Sequence, residues 1–184
     1  MSTSNKTVYV GVILAGLLDS LALGIIMPIL PFIALDLGAN AFWIGALFAV
    51  QFVGGALGSP ILGRLADVVP RGALLIISLV SIALGNWALL FASSIPMLIL
   101  IRGFVGFMSS NLVILESIVA DMTSDKERSA GLAKLRLGST LGLIIGPAIL
   151  ATIGSLGLFS STAPMLILAA SVTSLVPIII GVTV

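Results

Sequence analysis

Asp19, Arg102 and Glu116 are the residues of this 184-residue chain whose chemistry stands out from their surroundings. The chain has eight basic and seven acidic side chains, and only these three fall within its long apolar stretches. A charge in hydrocarbon costs at least a few kcal/mol, so a charged side chain there usually faces a cavity, a partner or a transported ion. A carboxyl group at Asp19 holds or releases a proton according to whether water or a cation reaches it. Arg102 carries a permanent planar guanidinium suited to fixed hydrogen bonds with carbonyls or a carboxylate.

The elements that must hold these residues follow from composition. Hydrophobic residues make up 59% of the chain and charged ones 8%, and mean hydropathy is +1.32. Soluble domains carry nearer a quarter charged residues, so the chain reads as an all-α integral membrane protein. It has no cysteine and no histidine, which removes disulfides, thiol nucleophiles and the common zinc sites; no metal or cofactor is implied. The net charge of +1 predicts no nucleic-acid partner. GxSxG, HExxH and GxxxxGK patterns are all missing, and Asp19 with Glu116 on separate helices is a poor aspartyl-protease pair, so no enzyme is indicated. A channel would more usually show a filter loop or a ring of charges.

A spanning helix needs about 20 apolar residues, and residues 1–184 divide into six runs forming a single transmembrane domain. They cover residues 8–33, 42–62, 72–92, 97–120, 132–153 and 163–183. The run after Lys6 is too long for a signal-peptide core and is expected to remain in the mature protein. Lys6, Arg64, Arg71, Lys126, Arg128, Lys134 and Arg136 fall on alternate breaks, whereas the break at residues 36–40, that at 93–96 and that from Ser155 to Thr162 hold no Lys or Arg. The positive-inside rule then makes the basic face cytoplasmic, with both termini on it, in a multi-pass protein of the cell (inner) membrane. Trp43 and Tyr9 fit aromatic interface positions.

Six spans also divide into two sets of three with opposite orientation, a 3+3 inverted repeat. Gly54, Gly58 and Pro60 of span 2 have counterparts in Gly138, Gly142, Gly146 and Pro147 of span 5. Such interruptions mark either a transport path or close helix packing.

Depth separates the three charges. Asp19 lies about 16 Å along span 1, near mid-bilayer, and Arg102 about 10 Å from the outer end of span 4. They are about 12 Å apart along the normal, too far for a direct ion pair between untilted helices. Asp19 is either a proton carrier or a neutral hydrogen-bonded contact, and Arg102 either a coupling group or a pin between spans 1 and 4. Counting 100° per residue puts Ser109 and Glu116 on the same stripe as Arg102. Glu116 is near the cytoplasmic end, within reach of Lys134 and Arg136, and reads as an inner-gate or structural ion pair. Gln51, Asn86 and Asn111 are uncharged helix contacts by the usual rule, with Gln51, Ser109 and Asn111 also candidates for the substrate path.

Four segments together resemble the major facilitator superfamily. Gly63-Arg64-Leu65-Ala66-Asp67-Val68-Val69-Pro70-Arg71-Gly72 is similar to its signature at Gly63, Asp67 and Arg71, with Val68, Pro70 and Gly72 departing from it. Asp19 and Gly24-Ile25-Ile26-Met27-Pro28-Ile29-Leu30-Pro31 resemble the first helix of the tetracycline and multidrug efflux branch. Arg102-Gly103-Phe104-Val105-Gly106 leads to Asp121-Met122-Thr123-Ser124-Asp125-Lys126-Glu127-Arg128, and Gly142-Leu143-Ile144-Ile145-Gly146-Pro147 resembles an antiporter motif.

The resemblance covers the whole chain and the N-terminal six-helix half of such a protein. It implies proton-coupled efflux of small lipophilic, tetracycline-like compounds by alternating access. Asp19 and Arg102 would act in coupling, Gly63, Asp67 and Arg71 would latch one half to the other, and Gly142, Gly146 and Pro147 would lie on the substrate path. The partners expected are the lipid bilayer, the substrate with protons, and a second six-helix half, either another copy or a separate chain. Two copies would insert with the same orientation, so a homodimer about the membrane normal is permitted. The alternative is a truncated or isolated half acting as a non-transporting membrane module, which the apolar end at residues 177–184 suggests.

Overall fold

A computed structural model describes the backbone of residues 3–156 and 162–183 and the side chains of residues 7–156 and 162–181. The side chain of Lys6, most of the break from Ser155 to Thr162, and Val184 lie outside the described residues.

The described residues are helical, with no strand among them. The helices are α1 (Thr3–Asp36), α2 (Ala41–Val68), α3 (Arg71–Ala88), α4 (Ile95–Met108), α5 (Asn111–Met122), α6 (Asp125–Ser155) and α7 (Thr162–Thr183), and a 3-10 turn Leu89–Phe91 extends α3. α4 and α5 together make one span, giving six spans long and apolar enough to cross a membrane.

Local chemistry sets the ends. Gly38, at φ 80°, takes the left-handed turn that closes α1, where Ala39 N–H reaches back to Ala34 O at 2.9 Å. Asn40 caps α2 by accepting from Trp43 N–H at 3.2 Å. Val69 is extended, as a residue before proline prefers, so α2 stops at Val68 and Pro70 precedes α3.

Two boundaries differ most from those expected. α6 begins at Asp125, seven residues ahead of the apolar run, so Lys126, Arg128, Lys134 and Arg136 ride on a helix. Ser124 and Glu127 bond at 2.9 Å, and Asp125 and Glu127 place negative charge in the first turn, where the helix dipole favours it. Likewise α2 runs past Leu62, so Gly63 and Asp67 belong to its last turns.

Span 4 is not one straight helix. It breaks at Ser109 and Ser110, with Ser109 at φ −78°, ψ 33° and its hydroxyl donating to Val105 O at 2.6 Å. Side-chain hydroxyls that bond the preceding turn bend helices, and Gly103 and Gly106 just upstream weaken this one further.

α1 packs most extensively on α6 and α2 on α4, while α7 fills the space beside α1 and α3. Backbone-to-backbone contact explains the first two pairs. A Cβ at Gly142 would lie 2.1 Å from Leu17 O, and one at Gly146 2.6 Å from Leu21 O; one at Gly58 would lie 1.9 Å from Phe107 O, and one at Gly106 2.2 Å from Gln51 O. These small residues let helices approach closely, which is how helices without a hydrophobic driving force between them associate in lipid.

The buried side chains form two clusters. One gathers Val12, Leu62, Leu75, Leu115, Leu135 and Val176; the other gathers Ile29, Leu47, Leu89, Leu98 and Leu166. On α1, α2, α3, α7 and the α4–α5 span, the residues between these two levels line a cavity.

Candidate functional site

The cavity has a volume of about 440 Å³. Asp19 and Ser20 of α1, Gln51 of α2, Asn86 of α3, Arg102 and Val105 of α4, Ser109 of the break, and Thr173 of α7 line it, among apolar neighbours such as Met27, Phe52, Ile82 and Leu112. Asp19 and Arg102 are its only ionisable lining residues among those described. Each reaches the cavity because its helix has a close neighbour behind it: Gly16 and Gly24 lodge α1 against α6, and Gly103 and Gly106 lodge α4 against α2.

The two charges are held apart by separate neutral partners. Asn111 Nδ2 donates to Asp19 Oδ1 at 3.5 Å, and Arg102 Nη2 donates to Gln51 Oε1. Arg102 is wholly buried, at 0% exposure, while Asp19 is half-buried. Asp19 and Arg102 form no ion pair with each other. On the third side, Asn86 Nδ2 donates to Thr173 Oγ1 at 3.0 Å, tying α3 to α7. Thr173 escaped notice in the sequence; the signal was a hydroxyl one turn from Ala169 inside an apolar run, to whose carbonyl it donates at 2.8 Å.

The other expected site residues lie elsewhere. The break after Ser109 destroys the single stripe expected for Arg102, Ser109 and Glu116. Arg102 and Ser109 line the cavity, whereas Glu116 accepts from Arg136 Nε at 2.8 Å on α6. Arg136, not Lys134, takes that contact, and with 67% of the Arg136 side chain exposed it is a surface ion pair. Gly142 and Gly146 are buried against α1 rather than in the cavity wall, and Pro147 sits beside Gly24. Gly63 and Asp67 are at the end of α2, where a Cβ on Gly63 would meet nothing. Arg71 pairs within the chain with Asp121 and donates to Ser117 O at 3.3 Å.

The sequence model of the Major Facilitator Superfamily matches residues 12–182, nearly all of this bundle of apolar spans. The chain belongs to the major facilitator superfamily. Its relatives include the class B tetracycline resistance protein of Escherichia coli, 36% identical over 138 residues that cover 72% of this chain and 34% of that protein. The multidrug resistance protein MdtG of Proteus mirabilis (strain HI4320) is 28% identical over 130 residues, 68% of this chain and 32% of that protein. Among solved structures, the human organic anion transporter MFSD10 (TETRAN) superposes with a TM-score of 0.78 at 21% identity, over 96% of this chain and 46% of that one. The chain thus spans from about a third to just under a half of the length of these relatives. Family members are transporters rather than enzymes, and the superposition places the present helices in that fold.

Proposed function

We propose that the chain forms one half of a secondary active transporter that exports small lipophilic compounds by alternating access, with proton movement coupled through Asp19. The observation that carries this reading is the cavity itself: a mostly apolar space between two packed clusters, with one carboxyl group and one guanidinium on different helices. Apolar walls suit a lipophilic cargo, since a sugar would need many more hydrogen-bond partners. The similarity to tetracycline and multidrug resistance proteins points the same way.

A second half is supported by where apolar surface is left over. Only 17% of the most apolar stretch of α2 and of α6 is buried, against 44% to 50% in α1, α3 and the α4–α5 span. Phe52, Leu57 and Ile61 of α2 and Leu137, Leu141 and Ile144 of α6 are exposed. These are the two helices whose partners are exchanged, α2 on α4 and α6 on α1, as a 3+3 inverted repeat of α1–α3 and α4–α7 would require. The basic residues from Arg64 to Arg71 and from Lys126 to Arg136 support termini on the cytoplasmic side of the inner membrane. Asp67 is exposed there without an ion-pair partner among the described residues, available to latch a second half.

The test is efflux from vesicles containing the chain, alone and with a second copy linked in tandem, driven by an imposed pH gradient. Gradient-dependent tetracycline movement that Asp19→Asn abolishes supports the proposal. A folded, strictly monomeric chain that moves nothing in either form favours a non-transporting membrane module.

A further inference from the structure

We infer that the central cavity binds an organic carboxylate, with its acidic group docked on Arg102 and its apolar body among the aliphatic and aromatic side chains of the cavity lining. The guanidinium is wholly buried, yet only Nη2 has an acceptor, the neutral oxygen of Gln51. Nε and Nη1 are buried with no acceptor among the described residues. A buried cation with unmet donors is a costly arrangement, and a carboxylate removes the cost twice, through charge and through the planar geometry that a guanidinium matches.

The carboxylate already in the cavity does not meet this need. Asp19 forms no ion pair with Arg102, and its Oδ1 is engaged by Asn111 from α5. No other acidic residue lines the space. At about 440 Å³ the cavity has room for far more than a carboxyl group, within the usual range for small-molecule sites. Ile26, Met27, Phe52 and Ile82 supply the apolar surface for the rest of the molecule. The chemistry therefore selects an amphiphilic acid over a neutral or cationic compound of equal size. This rests on reading the cavity as the place where cargo sits, and it names the class of that cargo.

Binding of 1-naphthoate and of 1-naphthamide, which share a shape and differ in charge, to the chain in lipid nanodiscs tests this directly, with empty nanodiscs as the background. The acid is expected to bind at least about tenfold more tightly, the ratio that one charge-assisted contact supplies. Arg102→Met should bring the two ligands to equal affinity, and Arg102→Lys should leave a reduced preference for the acid. Equal affinities in the unaltered chain, a comparison that needs no variant to fold, would overturn the inference. So would a folded Arg102→Met chain that keeps the preference. Because no gradient is applied, selective binding without gradient-driven movement counts against the transport reading alone, and gradient-driven movement with equal binding counts against the carboxylate site alone.

Discussion

Asn111 Nδ2 and Asp19 Oδ1, 92 residues apart in the chain, meet at 3.5 Å and join the first residue of α5 to the middle of α1. The break in span 4 makes this meeting possible, since it restarts the helix at Asn111. An amide can serve the carboxyl group in either protonation state, by donating to the ion or accepting from the acid. Asp19→Asn keeps the size and the hydrogen bond while removing the proton. It should reduce pH-gradient-driven transport at least about tenfold and leave the thermal unfolding profile in detergent unchanged; transport at the unaltered rate would show that Asp19 carries no proton.

Gln51 is the one acceptor on the guanidinium of Arg102 among the described residues, so its loss should be felt in stability. Gln51→Leu leaves a fully buried cation unpaired and is expected to cost about 2–4 kcal/mol. Denaturant or thermal unfolding in detergent reads this, with Gln51→Glu expected to retain the contact.

The glycine seams predict a sharp contrast between positions of the same residue type. Gly58→Ala sets a Cβ 1.9 Å from Phe107 O, whereas Gly63→Ala, less than two turns along α2, meets nothing within 4 Å. The first should destabilise by about 1–3 kcal/mol, because backbone cannot step aside as a side chain can, and the second should be neutral. Unfolding midpoints of the two variants, measured side by side, check this.

The Glu116 and Arg136 pair joins α5 to α6 at 2.8 Å in a solvent-facing position. Exposed pairs contribute little, so Glu116→Gln should leave the unfolding midpoint unchanged and should not alter ligand binding in the cavity. A large loss of binding would show that Glu116 acts in gating.

If two copies pair through the faces of α2 and α6, cysteines at Ala66 and Ala130 should crosslink between chains. The protein has no cysteine of its own, so any disulfide comes from the introduced pair. A dimer on a non-reducing gel is the expected result, and crosslinks confined to one chain would count against a latch between copies.

Much of the site was legible because burial of charge in hydrocarbon is so costly that sequence position alone identifies the exceptions. Asp19 and Arg102 were marked out in this way, Gln51 as an uncharged polar residue within a span and Ser109 by its place on the Arg102 stripe, and all four line one cavity. Glu116 was grouped with them by counting 100° per residue through Ser109, and two serine backbones were enough to defeat that count. The spacing of Gly142 and Gly146 favoured packing over a place on the path, and carbonyls of the neighbouring helix, invisible in the sequence, are what they pack against.

The sequence by itself determined that six apolar spans cross the membrane and which few polar groups they carry, because the bilayer sets both the length of a span and the cost of a charge independently of neighbours. Only the tertiary structure decided which polar groups meet. Asp19 with Asn111, Arg102 with Gln51, Glu116 with Arg136 and Arg71 with Asp121 all join different helices, and such pairings depend on the rotation and depth of each helix. Those are set by where glycine lets two backbones touch, an interaction of a few ångströms between residues far apart in the chain.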